Sequence, residues 1–114
     1  MILRTVSIKD YKKIKDLFNR NNLEIISFHR WKNLWEGNPI LKNKKKWIKG
    51  WVIVDNKKIV GHFGSFPTKY LLKNKSYLCS VLYGWVVDRK FRSQSILLLK
   101  KFFMQSNIDF FLVI

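Results

Sequence analysis

The chain has 114 residues and carries 23 Lys and Arg against 7 Asp and Glu, which gives a formal net charge of +16. This length suits one domain covering residues 1–114, and an apolar content of 47% with 16% aromatic residues excludes a chain that is disordered over most of its length. The longest uncharged run, Ser76–Val87, is shorter than the roughly 20 residues that a transmembrane helix needs.

The N-terminus and the cysteine content indicate the compartment. Arg4, Lys9 and Asp10 interrupt the N-terminus before the apolar part of a secretory signal could form. The single cysteine, Cys79, excludes an internal disulfide and a cysteine metal cluster. We therefore expect a soluble, cytoplasmic protein without a metal site or a membrane partner. Its positive charge attracts anions such as nucleic acid, acidic membranes and phosphorylated cofactors, but charge alone does not choose among them.

The first twenty residues predict a strand followed by an amphipathic helix. Residues 2–6 are rich in β-forming side chains and predict the strand. Ser7 and Asp10 fit a relaxed capping box, with the acid in the first turn of a helix that runs to about Arg20. The apolar face of this helix comprises Ile8, Tyr11, Ile14, Leu17 and Phe18.

A second, shorter helix is predicted over Phe28 to Trp35. Phe28, Trp31, Leu34 and Trp35 would share one stripe of it. Gly37-Asn38-Pro39 then ends the helix, because glycine permits a left-handed cap and proline cannot continue a helix. The lysine-rich segment 42–46 indicates a solvated loop.

The middle of the chain predicts β-structure. Asn56 tolerates the positive φ that a tight hairpin turn needs. Pro67 has no N–H to donate to a ladder, and we expect it to break the strand that contains it. The predicted strands cover residues 47–54, 59–65, 68–72 and 77–87, with turns at 55–58 and 73–75.

The last third predicts a loop, a helix and a strand. Residues 88–94 form a polar, basic loop. The helix over 95–105 is apolar nearly all round, which predicts burial on most sides. The apolar run 109–114 shows no alternation, which is typical of a central strand buried on both faces. A strand-loop-helix-strand unit of this length favours parallel pairing of its two strands.

The order β-α-α-β-β-β-α-β predicts an α+β fold with a mixed, mostly antiparallel sheet and flanking helices. The sequence stops inside its last apolar run. An exposed strand edge of this kind invites association, so we expect either that the chain is shortened or that a homo-oligomer covers this C-terminal edge.

The segment from Tyr83 to Leu99 resembles motif A of the GCN5-related N-acetyltransferase (GNAT) superfamily. In that motif a strand ends in Val-x-Pro-x-Tyr-Arg, and a loop of the form Gln/Arg-x-x-Gly-x-Gly/Ala opens a helix. Here Val87-Asp88 stands at the strand exit, Phe91-Arg92 takes the place of Tyr-Arg, and residues 92–97 take the place of the loop.

Other segments agree with this resemblance. Leu3-Arg4 with Asp10 is similar to the opening strand and helix of the family, residues 31–39 to an acceptor-side segment, and residues 51–61 to the central hairpin. The resemblance covers the whole chain but only about the first two-thirds of a family domain, without the last helix and the last β-hairpin. It implies a fold like that of acyl-CoA N-acyltransferases.

The resemblance implies acyl transfer from acetyl-CoA, or from another acyl-CoA, to a primary amine of a small molecule, an amino sugar or a protein. The amide N–H groups and partial positive charge of a helix N-terminus suit the pyrophosphate of coenzyme A. The backbone of the preceding strand would bind the pantetheine arm. The residues implicated in cofactor binding are Val86, Val87, Arg92, Ser93, Gln94, Ser95, Ile96 and Leu97.

Two positions depart from the motif. Ser95 stands where the first motif glycine is expected, and its hydroxyl could contact phosphate or cap the helix. Leu97 stands where the second small residue is expected.

One alternative is therefore a truncated, inactive relative that keeps the fold or the cofactor site. Another is a basic nucleic-acid-binding module, although no segment here matches a known nucleic-acid-reading element.

Five side chains are candidates for the base that would deprotonate the amine: His29, Glu36, Asp55, His62 and Asp88. The two aspartates fit turns, lone histidines are more often structural, and one acid near a helix end is weak support. The sequence therefore assigns no catalytic residue. The tyrosine that serves as general acid in the family has no counterpart here.

The aromatic residues and the cysteine suit a core better than a ligand site. Cys79 lies in an apolar strand, which is typical of a buried small hydrophobe rather than a nucleophile. Tryptophans could line an acyl or acceptor pocket, but their spacing favours core or hairpin packing. The tryptophans concerned are Trp31, Trp35, Trp47, Trp51 and Trp85.

Overall fold

The computed structural model describes residues 1–42 and 46–113. The strands are β1 (Ile2–Thr5), β2 (Gly50–Asp55), β3 (Lys58–Leu72), β4 (Lys75–Val87) and β5 (Phe110–Val113). The helices are α1 (Tyr11–Arg20), α2 (Phe28–Asn33) and α3 (Ser95–Phe103), and short 3₁₀ helices cover Ile8–Asp10, Pro39–Leu41 and Arg89–Gln94. The predicted order of strands and α-helices is confirmed.

The five strands form one mixed sheet in the order β1-β2-β3-β4-β5. The first four strands pair antiparallel, and β5 pairs parallel to β4 from Cys79↔Phe110 to Leu82↔Val113. Because parallel neighbours need a crossover connection, α3 links β4 to β5. The mixed, mostly antiparallel α+β architecture is therefore confirmed. Among the described residues, no helix is both long enough and apolar enough to cross a membrane.

The two faces of the sheet bury different helices, because alternate strand residues point to opposite faces. Val52 of β2 packs with α1 and α2, whereas its neighbours Trp51 and Ile53 pack with α3. The buried residues of the first core are Val6, Ile14, Leu17, Phe18, Trp31, Trp35, Val52, Ile59 and Val86. Those of the second core are Trp51, Ile53, Val60, Phe63, Leu82, Val87, Leu98 and Phe102.

The predicted capping box at the start of the first helical segment is confirmed. The Asp10 carboxylate accepts from the Ser7 N–H (2.8 Å) and from both terminal nitrogens of Arg4 (2.8 and 2.9 Å). Burial alone would raise the pKa of Asp10, but the bonds from Arg4 and Ser7 outweigh it and hold the pKa below its usual value. This carboxylate therefore ties β1 to the helix that follows it.

Both predicted hairpin turns are confirmed. Asn56 and Lys57 have φ values of 51° and 63°, and Lys73 and Asn74 have φ values of 49° and 65°. Two consecutive residues with positive φ match the right-handed twist of the flanking strands.

The predicted strand break at Pro67 is wrong, because β3 runs without interruption from Lys58 to Leu72. The Ser65 N–H points toward β2 and donates to Lys49 O. The backbone nitrogen of Pro67, two residues further along β3, points to the same side. The β2–β3 ladder begins only at Gly50↔Gly64, so the proline nitrogen disturbs no described ladder bond. The carbonyl of Pro67 instead accepts from Asn38 Nδ2 at 3.0 Å.

Several predicted boundaries differ from those observed. β2 begins at Gly50 rather than Trp47, α2 ends at Asn33 rather than Trp35, and α3 ends at Phe103 rather than Gln105. The predicted loop 88–94 is largely a 3₁₀ helix, because its backbone closes successive tight turns directly into α3. Of the predicted loop 42–46, residues 43–45 lie outside the described part.

The expected burial of α3 and β5 is wrong. Only Leu98 and Phe102 of α3 are buried, while Ile96 is 61% exposed. β5 is the edge strand of the described sheet rather than a central strand, and Val113 is 53% exposed. One face of α3 packs on the sheet, and no described element covers the other face. Apolar side chains thus remain at the surface there.

The two adjacent leucines of α3 test this orientation. Leu98 is fully buried and Leu97 is 38% exposed. We expect Leu98→Ala to lower the free energy of unfolding by about 2–5 kcal/mol, because it leaves a cavity in the second core. The matched Leu97→Ala should cost less than about 1 kcal/mol. Urea denaturation measures both values, and equal losses would contradict the described orientation of the helix.

Candidate functional site

The last part of β4 has a free edge. Pairing with β5 ends at Leu82↔Val113, whereas pairing with β3 continues to Val87. From Tyr83 to Val87, no described strand lies on the β5 side of β4. Backbone N–H and C=O groups on that side are therefore available to water or to a ligand.

A β-bulge at Gly84 redirects this part of the strand. Gly64 pairs with Tyr83 and His62 pairs with Val86, so β4 uses one more residue than β3 over this stretch. Gly84 has a φ of +64°, and a Cβ built there would lie 2.8 Å from Phe18 Cζ. Glycine is favoured here because a side chain would strain the backbone conformation and its Cβ would force Phe18 to shift.

Two adjoining clefts follow the free edge, and together we call them the β4 groove. The first cleft has a volume of about 350 Å³ and the second about 400 Å³. They share Leu23, Trp85 and Val86. The first is lined by Asn21, Leu23, Trp85, Val86, Val87, Arg92 and Ser95. The second is lined by Phe18, Leu23, Glu24, Ile25, Ile26, Leu82, Tyr83, Gly84, Trp85, Val86 and Val113.

The end of α1 forms the opposite wall of the groove. The Leu23 N–H donates to Phe18 O at 2.9 Å, and the Asn22 N–H donates to Asn19 O at 3.2 Å. With Asn22 at a φ of 57°, these two bonds form a Schellman motif, which ends the helix and turns the chain toward β4. Leu23 and the segment after it are thereby placed against the free edge.

Asp88 holds the two walls together. Its carboxylate accepts from Arg20 Nη2 (2.8 Å) and Asn21 Nδ2 (2.9 Å) at the end of α1. Its N–H donates to Val60 O at 2.8 Å, and its carbonyl accepts from the Phe91 N–H at 2.8 Å. The expectation that Asp88 serves the turn after the strand, rather than catalysis, agrees with these bonds.

The structure brings half of the sequence-predicted cofactor residues to the groove. Val86, Val87, Arg92 and Ser95 line the first cleft. The remaining four, Ser93, Gln94, Ile96 and Leu97, are not among its lining residues. Leu97 therefore does not obstruct the groove, although it replaces a small residue of the motif.

Ser95 is committed to bonds within the chain. Its N–H and its Oγ both donate to Arg92 O, the hydroxyl at 2.8 Å. Gln94 is the N-cap of α3 and makes no side-chain capping bond, so of the two roles considered for the Ser95 hydroxyl the structure does not show the cap. The 3₁₀ helix Arg89–Gln94 leads directly into α3, and its last backbone bond uses the Ser95 N–H. The Ser95 amide is therefore not a free donor for a phosphate.

Cationic side chains supply the positive charge at this end of the groove. Arg89, Lys90 and Arg92 are all exposed. Within the described part of the chain, no carboxylate lies within ion-pair distance of any of the three. Their charge is therefore available to an anion from solvent.

The candidate bases named from the sequence do not line the groove. Glu36 lies 3.6 Å from Lys32 Nζ, Asp55 lies 3.7 Å from the N-terminal amine, and the exposed His29 bonds to Asn33. His62 is fully buried below the groove.

Sequence reasoning missed several groove residues. Leu23 and Glu24 line the clefts but belong to no local motif, whereas Trp85 lies in the segment that resembles motif A and is one of the tryptophans that the sequence offers for a pocket. Glu24 adds an acidic residue to the lining of the second cleft. Only the meeting of the segment after α1 with the edge of β4 identifies Leu23 and Glu24, because they are distant from that edge in sequence.

The tryptophans and the cysteine mostly follow the expectation of core packing. Trp31, Trp35 and Trp51 are buried in the two cores, and Cys79 is buried in β4. Burial raises the pKa of the Cys79 thiol, which disfavours the nucleophilic thiolate. Trp85 differs, since it is 47% exposed and lines both clefts.

His62 and Tyr83 are neutral groups beneath the free edge. His62 Nδ1 lies 2.7 Å from Gly84 O, and burial lowers the pKa of His62 to about 4 although this bond opposes the shift. Burial likewise raises the pKa of the Tyr83 phenol. Within residues 1–42 and 46–113, three buried polar atoms lack a hydrogen-bond partner, namely Trp31 Nε1, His62 Nε2 and Tyr83 Oη.

The sequence matches no protein-family model and no curated protein. Solved acetyltransferase structures match throughout the chain. Glucosamine-6-phosphate N-acetyltransferase from Arabidopsis thaliana matches with a TM-score of 0.68 and 15% identity over 99% of this chain and 80% of that one. An aminoglycoside 6′-N-acetyltransferase from Acinetobacter haemolyticus matches with a TM-score of 0.66 and 14% identity over 100% of this chain and 79% of that one.

An acetyltransferase from Trypanosoma brucei matches with a TM-score of 0.65 and 13% identity over 99% of this chain and 81% of that one. The chain therefore has a GNAT-like fold. It spans about four fifths of these proteins, which is more than the two-thirds expected from the sequence.

The glycine of the bulge can be tested directly. We expect Gly84→Ala to lower the free energy of unfolding by about 1–3 kcal/mol, because the new methyl group meets Phe18 and the backbone conformation disfavours a Cβ. Gly37→Ala is the matched control, since its Cβ would meet only the side chain of Asn33 and its φ is not positive. Thermal and urea denaturation measure both, and equal effects would contradict the strained geometry at Gly84.

The buried histidine predicts a pH dependence of stability. Unfolded His62 binds a proton below its ordinary pKa of 6.5, whereas folded His62 does so only near 4. The stability contributed by neutral His62 is therefore complete above pH 6.5 and is lost as the pH falls toward 4, by about 3 kcal/mol in total. Ionised Asp10 also contributes stability, and this contribution is lost at lower pH than that of His62, because folding lowers the pKa of Asp10 from 3.8.

Urea denaturation between pH 7 and pH 4 measures this loss. His62→Asn should flatten the curve, because the buried titrating ring is removed. A native curve that is flat over this range would show that folding does not lower the pKa of His62.

Proposed function

We propose that the chain binds an acyl-coenzyme A, such as acetyl-CoA, in the β4 groove and transfers the acyl group to a primary amine. One observation carries this proposal. The free edge of β4 from Tyr83 to Val87 runs along a groove whose lining includes the exposed residue Arg92. The GNAT-like fold supports the same assignment.

The free strand edge suits the pantetheine arm. An extended chain that contains amides can bond to an exposed strand edge as an added strand would. Pantetheine is such a chain, and Val86 and Val87 offer their backbone along the first cleft. Trp85, half exposed between the two clefts, adds an apolar surface against which the arm can pack.

The cationic end of the groove suits the phosphates. Arg92 is a lining residue, and Arg89 and Lys90 add two further charges nearby in the chain. Arginine binds phosphate through charge-assisted, bidentate hydrogen bonds. We propose side-chain recognition here rather than an amide cradle, because the Ser95 N–H donates to Arg92 O.

The second cleft suits the amine acceptor. It lies at the other end of the groove, past Trp85, and its lining residues include Glu24, Tyr83 and Gly84. A carboxylate attracts an ammonium group and can accept its proton before the amine attacks the thioester carbonyl. The acceptor class remains a primary amine of a small molecule, an amino sugar or a protein.

A second candidate is an inactive relative that keeps the cofactor site. The hydrogen bonds of Ser95 favour this candidate. Its N–H and its hydroxyl both donate to Arg92 O, so neither is a free donor of the kind that the glycine-containing motif would offer to a phosphate. Such a protein binds acyl-CoA without transferring the acyl group.

Calorimetric titration with acetyl-CoA tests the proposal. We expect binding by the native chain, and we expect Arg92→Ala to weaken it by about tenfold or more, because a charge-assisted bond to phosphate is lost. Arg30→Ala is the matched control. It removes the same charge from an exposed position of α2 outside the groove and should leave the affinity unchanged.

The outcomes separate the candidate functions. Binding with acetylation of an amine panel supports the transferase. Binding without turnover of any amine favours the inactive relative. Absence of acetyl-CoA binding together with salt-sensitive oligonucleotide binding would establish the nucleic-acid module instead.

A further inference from the structure

His62 lies below the bulge of β4 and is fully buried. It belongs to β3 and pairs with Val86 across the ladder. Its ring packs edge-on against Phe18 of α1 (5.7 Å between ring centroids) and against Tyr83 of β4 (5.8 Å). The imidazole thus sits where α1, β3 and the bulged part of β4 meet.

The hydrogen bond of His62 defines its tautomer. Nδ1 lies 2.7 Å from the carbonyl oxygen of Gly84, and a carbonyl oxygen can only accept. Nδ1 therefore carries the proton. Burial keeps the ring neutral near pH 7, since the pKa is lowered to about 4. In a neutral ring with a proton on Nδ1, Nε2 is a bare acceptor, and within the described residues it has no partner.

This bond acts on the residue that shapes the groove. A bulge disrupts the local ladder and leaves the extra residue without its cross-strand partner. Gly84 is in the left-handed region at a φ of +64° and is absent from the β3–β4 pairs. Its carbonyl is satisfied by a side chain, which ties the bulge to the core.

We propose that His62 is a positioning residue, which as the Nδ1–H tautomer holds the carbonyl of Gly84 and thereby fixes the bulge that presents the edge of Trp85–Val87 to the β4 groove. The distance from Nδ1 to Gly84 O is sufficient to infer the tautomer and the hydrogen bond. The effect on ligand binding rests on the proposed function.

The surroundings of the ring are mostly apolar. Phe18 from α1 is apolar, and the Tyr83 phenol of β4 stays neutral because burial raises its pKa. Asp10 is the charged group whose field reaches the imidazole, and it favours the protonated ring only weakly against burial. Protonation would place a second N–H at Nε2, where the described residues provide no acceptor.

Imidazole ¹H–¹⁵N spectra test the tautomer without any change at His62. The sequence has 2 histidines, so His29→Gln leaves His62 as the single signal. We expect a protonated Nδ1 and a bare Nε2 at pH 7, with the ring neutral until the pH nears 4. A proton on Nε2, or a charged ring at pH 7, would overturn the proposal.

Two substitutions test the positioning role. His62→Asn places an amide N–H donor where Nδ1 stands, whereas His62→Leu removes the donor and retains an apolar side chain of similar bulk. We expect the Leu variant to lose about tenfold in acetyl-CoA affinity and the Asn variant to stay within about threefold of native, since one hydrogen bond separates them. Urea denaturation of each variant confirms that binding is measured on folded protein.

The backbone amide signals of Gly84 to Val87 provide a readout that needs no ligand. They should shift in His62→Leu and stay near their native positions in His62→Asn. If the native chain does not bind acetyl-CoA, the proposed function fails while these signals and the tautomer still decide the role of His62. Equal signals in the two variants, or equal affinities where binding occurs, would overturn the positioning role.

Discussion

The structure depends on a single constraint: β4 has two neighbouring strands in its middle, from Cys79 to Leu82, and only one, β3, along its last part. It pairs with β3 up to Val87, but its pairing with β5 ends at Leu82. Backbone polar groups are rarely left without partners, so the free edge requires water or a ligand. The bulge at Gly84 turns this edge toward the space beside α1, and the groove follows from that geometry.

The walls of the groove are held by polar bonds between distant segments. Asp88 joins the exit of β4 to Arg20 and Asn21 at the end of α1, and His62 joins β3 to the carbonyl of Gly84. Neither group is a free acid or base. Both determine where the backbone of β4 lies, while the exposed cations beyond the strand supply the charge that an anionic ligand needs.

Local signals in the sequence determined much of the fold. The capping box of Ser7 and Asp10, the turn at Asn56 and the order of the elements were all predictable, because each depends on residues close together in the chain. The apolar patterning located the strand that ends at Val87 and the helix after it, and the resemblance to motif A then assigned cofactor residues to their junction. Four of the eight residues assigned to the cofactor from that motif line the groove.

Tertiary structure alone decided the rest, because the remaining features depend on what lies beside an element rather than on the element itself. Pro67 is tolerated within β3 since β2 has not yet begun beside it. The apolar faces of α3 and β5 are exposed since no described element packs on them. Leu23 and Trp85 line one groove only because α1 ends opposite the free edge of β4, a proximity that no local spacing of residues encodes.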